Sequence, residues 1–186
     1  YSYMKFIKFL LILFIFISTP IIADLKENII RELNKGKKLI FIRHAYAPGG
    51  GDPDDFDIKD CSTQRNLNDS GKIQSTKIGN FFKKNDILIE NVYSSEWCRC
   101  KDTAKIAFEN YEQKNFLNSF FSSKFKKNKN QQMKDLKKFI NDWEGRKNIV
   151  FVTHYVVIST IFNYAPSSGE IVVADKNFNI IDTIII

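Results

Sequence analysis

The sequence predicts an α/β domain of three layers, a mostly parallel central sheet flanked by helices. Two observations carry this. Short apolar runs at 39–42, 87–93 and 149–153 are each followed by a stretch whose apolar residues recur every three or four positions, and strands that alternate with helices build parallel sheets. The first and third runs are continuous, as a strand covered on both faces requires.

The elements follow in order. Leu25, Ile29, Ile30 and Leu33 give Asp24 to Asn34 a helical period, so a short leading helix is expected before Gly36. Leu39 to Ile42 is the first strand and stops at Arg43 and His44. Pro48, Gly49, Gly50, Gly51 and Pro53, with Asp52, Asp54, Asp55 and Asp57, predict a loop to about Arg65, long enough to be functional. A solvated turn is the simplest reading of most of its aspartates.

Asn68 suits the N-cap of a helix through Phe82 whose buried stripe would be Ile73, Ile78, Phe81 and Phe82. Ile87 to Tyr93 reads as the second strand, and a helix from about Arg99 to Asn110 would turn Ala104, Ile106 and Ala107 inward. Lys124 to Gln132 is polar and basic, and Lys124, Lys126, Lys127 and Lys129 read as a solvated edge. Met133, Leu136, Phe139, Ile140 and Trp143 then form a core stripe on the next helix. Ile149 to Thr153 is a strand ending at His154, helix follows to Asn163, and Ile171–Ala174 with Ile180–Ile186 predict a terminal hairpin.

Composition narrows the function. The 186 residues suit one domain, and 44% hydrophobic content with 8 glycines and 4 prolines excludes collagen-like and wholly disordered chains. The charge of +7 is spread along the chain. Neither a glycine-rich nucleotide loop opening a helix nor an aromatic stacking platform is present, so no nucleic-acid partner is expected. Three cysteines, Cys61, Cys98 and Cys100, lack the paired spacing of a zinc ribbon.

Met4, Lys5 and Lys8, the apolar run Phe9 to Ile17, then Ser18, Thr19, Pro20 and Ala23 stand in the order of a secretory signal peptide. The run is shorter than the roughly 20 residues of a membrane-spanning helix. The expectation is a signal at 1–23 cleaved after Ala23, a domain at 24–186, and a periplasmic or secreted protein. The alternative is an uncleaved anchor, the one case that brings a membrane partner.

The chain has two histidines, His44 and His154, and each directly follows an apolar strand. In open α/β sheets the ligand crevice lies beyond the carboxyl ends of the strands, so both imidazoles can share one crevice. Arg43 supplies forked donors suited to phosphate, and Arg99 opens a helix, whose N-terminus also favours anions. Two guanidiniums, a helix end and two imidazoles describe a phosphoryl site.

Arg43-His44-Ala45 resembles the Arg-His-Gly signature of the histidine phosphatase superfamily, the phosphoglycerate-mutase-like enzymes. Three further segments resemble that family in the same order: Arg65-Asn66-Leu67 with Gly71 and Gln74; Ser95, Arg99, Thr103 and Ala104; and Val152-Thr153-His154 with Ser168-Gly169-Glu170 beyond. The resemblance spans about Leu39 to Val173. It implies a phosphoglycerate-mutase-like fold in which His44 attacks phosphorus while Arg43, Arg99 and His154 hold the phosphoryl oxygens, with no cofactor and no metal. Ala45 departs from the usual glycine. Leu117-Asn118-Ser119 stands where many members carry an acidic residue, leaving Asp57, Asp60 or Glu96 as candidate proton donors.

By the same resemblance the loop after His44 and the segment around Arg99 converge. A Cys61–Cys98 disulfide is therefore expected, with Cys100 free and buried, the alternative being three unpaired thiols. The function expected is a phosphatase hydrolysing a phosphate monoester through a phosphohistidine. Its substrate would be a small phosphorylated molecule, with a lipopolysaccharide core sugar phosphate suggested by exported relatives. The rival is a non-catalytic phosphate- or polyanion-binding domain that has lost its general acid. A mutase fits an exported protein poorly.

Overall fold

The computed structural model describes residues 27–186. The signal segment, its cleavage after Ala23 and Leu25 of the leading helix lie outside the described residues. Helix α1 (described over 27–34) buries Ile29 and Leu33. Strand β1 (Leu39–Arg43) leads into the glycine-rich loop, which contains a short 3-10 turn at Cys61–Thr63. Helix α2 (Asp69–Lys84) is capped by Asn68, whose side chain accepts from the Gly71 N–H. Strand β2 (Ile89–Ser94), helix α3 (Cys98–Phe108) and a two-residue strand β3 (Glu112–Gln113) follow. Helices α4 (Ser123–Lys126) and α5 (Lys129–Asp142), strand β4 (Asn148–Thr153), helix α6 (Tyr155–Phe162) and strands β5 (Ile171–Ala174) and β6 (Ile180–Ile184) complete the order.

The strands form one sheet in the order β3-β2-β4-β1-β5-β6. The first four are parallel, β5 is antiparallel to β1, and β6 is antiparallel to β5. Alternation along each central strand feeds two separate cores. In β1, Ile40 and Ile42 pack with Ile78, Phe81 and Phe82 on one face. Leu39 and Phe41 pack with Leu136, Ile140 and Ile158 on the other. The rings of Phe41 and Phe151 stack across the β1–β4 pair at 4.8 Å. The result is the three-layer, mostly parallel α/β architecture.

Two expected core residues lie outside. Ile73 is 58% exposed because the inward face of α2 starts at Gly71, and a residue two positions further on points away. Gly71 is required there, since a Cβ would sit 2.1 Å from the Tyr46 carbonyl oxygen. Ile106 is half out for the same reason, two positions from the fully buried Ala104 of α3. The stretch 124–132 is also more than a solvated edge, because it contains α4 and the start of α5.

Candidate active site

β1 and β4 run in parallel register with Arg43 opposite Thr153. The residues just past them, His44 and His154, therefore leave the sheet at the same end. The His44 N–H donates to the Thr153 carbonyl at 2.9 Å, and the two rings lie 5.5 Å apart. Gly169, at φ +73, donates its N–H to the Arg43 and His44 carbonyls at 3.1 and 3.2 Å. That left-handed conformation is one glycine adopts without strain.

The Nδ1 of His44 lies 2.8 Å from the Ala45 carbonyl oxygen. A carbonyl only accepts, so Nδ1 carries the proton and Nε2 keeps its lone pair. Arg99 Nε donates to that Nε2 at 3.2 Å. On the facing ring, His154 Nε2 is 2.9 Å from Ser95 Oγ; the single Ser95 hydroxyl hydrogen is donated to Asn118 Oδ1 at 3.0 Å, so Ser95 Oγ accepts from His154 Nε2–H. Both rings are 3% exposed. Burial first, and the Arg99 charge second, hold both imidazoles well below the usual histidine value, so both are neutral near pH 7.

Three guanidiniums line the cavity in front of these rings. Arg43 donates through Nη1 to the Pro166 carbonyl at 2.8 Å and lies over the Tyr155 ring, and its buried Nε has no partner. Arg65 donates through Nε to the Gly51 carbonyl at 2.8 Å and through Nη1 to the Ala47 carbonyl. Arg99, at the first turn of α3, is paired with Asp52. The cavity measures about 420 Å³, and its outer wall includes Phe56, Phe121, Phe125, Tyr155 and Lys124.

The structure thus brings Arg43, His44, Arg99 and His154 to one cavity. It does not bring the three candidate acids there. Asp60 caps the Cys61–Thr63 turn, accepting from Ser62, and Asp57 accepts from the Lys59 N–H on the exposed loop. Glu96 takes the Asn118 amide at 2.5 Å and stays off the cavity wall. Each carboxyl is engaged by its own neighbourhood. Cys61 and Cys98 are disulfide-bonded and Cys100 is free and buried, so the loop is tied to the residue before Arg99.

Sequence reasoning missed Asp52, Trp97 and Lys124, and it gave Arg65 no phosphate role. Asp52 sits among Asp54, Asp55 and Asp57 with no local feature to single it out. The loop's end at Arg65, just before the Asn68 cap, was the available signal for that arginine.

No family model and no curated protein matches the chain by sequence. Solved structures do match by shape. SixA from Agrobacterium tumefaciens, assigned as a phosphohistidine phosphatase, aligns at TM-score 0.58 and 15% identity, covering 81% of this chain and 98% of its own. The protein histidine phosphatase SixA complexed with tungstate aligns at 0.55 and 16%, covering 78% and 95%. Phosphoglycerate mutase from Thermus thermophilus aligns at 0.58 and 13%, covering 80% and 99%. The chain thus has the phosphoglycerate-mutase-like fold of these structures, and the match takes in nearly the whole length of each neighbour.

Proposed function

We propose that this protein is a phosphatase of the histidine phosphatase type, hydrolysing a phosphate monoester through a phosphohistidine at His44. The observation that carries the reading is the tautomer of His44: its proton is held by the Ala45 carbonyl, leaving Nε2 as a neutral nucleophile beside Arg99. In the first step Nε2 bonds to phosphorus as the ester P–O bond breaks, and the departing oxygen takes a proton from solvent. Arg43, Arg65 and Arg99 balance the charge that builds on the phosphoryl oxygens, and a dianion there also favours protonation of His154. Water then breaks the P–N bond, phosphate leaves, and His44 regains its lone pair.

Most of the cavity is left for the remainder of the substrate. The aromatic residues Phe56, Phe121, Phe125 and Tyr155 on the cavity wall give the remainder of the substrate an apolar surface of the kind that the C–H groups of a sugar ring pack against, which supports a phospho-sugar. Together with the signal-like order of residues 1–23, this favours export and a cell-envelope substrate such as a lipopolysaccharide core sugar phosphate.

One observation favours a second reading. Asp52 and Asp54 are the carboxylates on the cavity wall; the first is paired with Arg99 and the second is exposed. A phosphate-binding domain without turnover has the same need for the arginines and none for an acid. Hydrolysis of p-nitrophenyl phosphate by the wild type and His44→Ala separates the two. The phosphatase predicts turnover and acid-labile phosphate on the wild type, both lost in the variant. Equal turnover by both proteins would refute the nucleophile, and tungstate binding without labelling or turnover would favour the binding domain.

A further inference from the structure

We infer that Asp52 is a positioning residue that turns one particular edge of Arg99 toward the phosphoryl group; this rests on the reading of the cavity as a phosphoryl site. A guanidinium has five N–H donors in fixed directions. Four of those on Arg99 are assigned. Nη1 donates to Asp52 Oδ1 at 2.6 Å and to the Arg65 carbonyl at 3.3 Å. Nη2 donates to Asp52 Oδ2 at 3.2 Å, and Nε donates to His44 Nε2.

The Asp52 carboxylate therefore occupies the end-on fork, the pair Nη1 and Nη2. One Nη2 hydrogen is left, and planarity puts it on the same side as Nε–H. That side is the one already facing His44 Nε2. Together Nε–H and Nη2–H make a second, side-on fork: when a phosphoryl group enters, Nε–H passes from His44 Nε2 to one phosphoryl oxygen and Nη2–H takes a second, which frees the Nε2 lone pair for attack. With Asp52 absent, the end-on edge would keep just the 3.3 Å bond from Nη1 to the Arg65 carbonyl, and the two-point grip that fixes the rotation of the guanidinium would be gone.

Asp52 itself is fixed on every side. Its Oδ1 also accepts from the Arg65 N–H at 3.2 Å, and its Oδ2 accepts from Trp97 Nε1 at 3.0 Å. Four donors on one carboxylate hold it in the ionised form, which makes it an orienting anion and no proton donor. Its loop is joined to α3 by the disulfide, one residue from Arg99.

Positioning and charge predict opposite signs for Asp52→Asn. If Asp52 acted only by its negative charge, removing that charge would tighten the binding of an anion beside Arg99. If it orients the fork, binding weakens. Tungstate affinity is the readout, measured on folded protein with the disulfide intact. The expected result is a loss of about tenfold or more in Asp52→Asn, with Asp52→Glu recovering part of it. Trp97→Phe keeps the carboxylate and removes one of its four hydrogen bonds, so it should weaken binding by a few-fold, and it carries the test if Asp52→Asn fails to fold. Unchanged or tighter binding in Asp52→Asn, or in Trp97→Phe when it stands alone, overturns the inference while wild-type turnover and labelling stand. A wild type that neither binds tungstate nor turns over an ester overturns the proposed function, and this inference with it.

Discussion

His44 and His154 are buried neutral bases among three guanidiniums, and the cost of charging them has a direction in pH. Their folded values lie below the unfolded value near 6.5. As pH falls through about 6.5 the unfolded chain binds protons that the native state refuses, so stability drops, while above that pH the contribution is fully present. Each ring can add a slope of up to about 1.4 kcal/mol per pH unit over the window between its two values. Urea unfolding of the wild type from pH 8 to pH 5 should show the decline, and His154→Gln should flatten it. The same slope in both proteins would sink the account. At this scale the residues legible in the sequence were those that end a strand or open a helix, Arg43, His44, Arg99 and His154. Asp52 was illegible because its role depends on a guanidinium 47 positions away.

Helix α2 shows why periodicity alone misjudged a face. Apolar spacing put Ile73 inside, yet the sequence also held Gly71 and Ser75, two small residues that mark where a helix approaches backbone. The structure buries both and leaves Ile73 in solvent. Gly71→Ala gains about 1 kcal/mol of helix propensity but forces a methyl against the Tyr46 carbonyl. Overpacking of that kind costs about 1–3 kcal/mol, so chemical denaturation should show a net loss, whereas Ile73→Ser should stay within about 0.5 kcal/mol of wild type. The apolar strands β1 and β4 were legible because both of their faces are covered. The two-residue β3 was not, since Glu112 and Gln113 are exposed and carry no apolar signal.

For the whole molecule, the parallel order of the four strands from β3 to β1 gathers the chemistry at one end of the sheet, and the disulfide closes the loop over it. The bond joins residues 37 positions apart. Loop-closure entropy then puts the stabilisation at roughly 4 kcal/mol. Cys61→Ser should lower the unfolding free energy by an amount of that order, read by denaturation with Cys100 still buried. A change under about 1 kcal/mol would mean that the hydrogen bonds of Asp52, Gln64 and Arg65 hold the loop without the disulfide. The strand–helix alternation made the layers legible in advance. The neighbour order of β2, β4, β1 and β5 was not, because it is set by which faces meet after each crossover.

At the far side of the sheet, β6 ends the order, and among the described residues nothing pairs with its outer side. Ile180 and Ile181 are 37% and 39% exposed there. Open amide and carbonyl groups beside bare isoleucines are a template for a foreign strand. Aggregation of the half-folded chain would start on this margin, and the carboxylate of Asp182, in the middle of β6, is the gatekeeper that an added strand would have to desolvate.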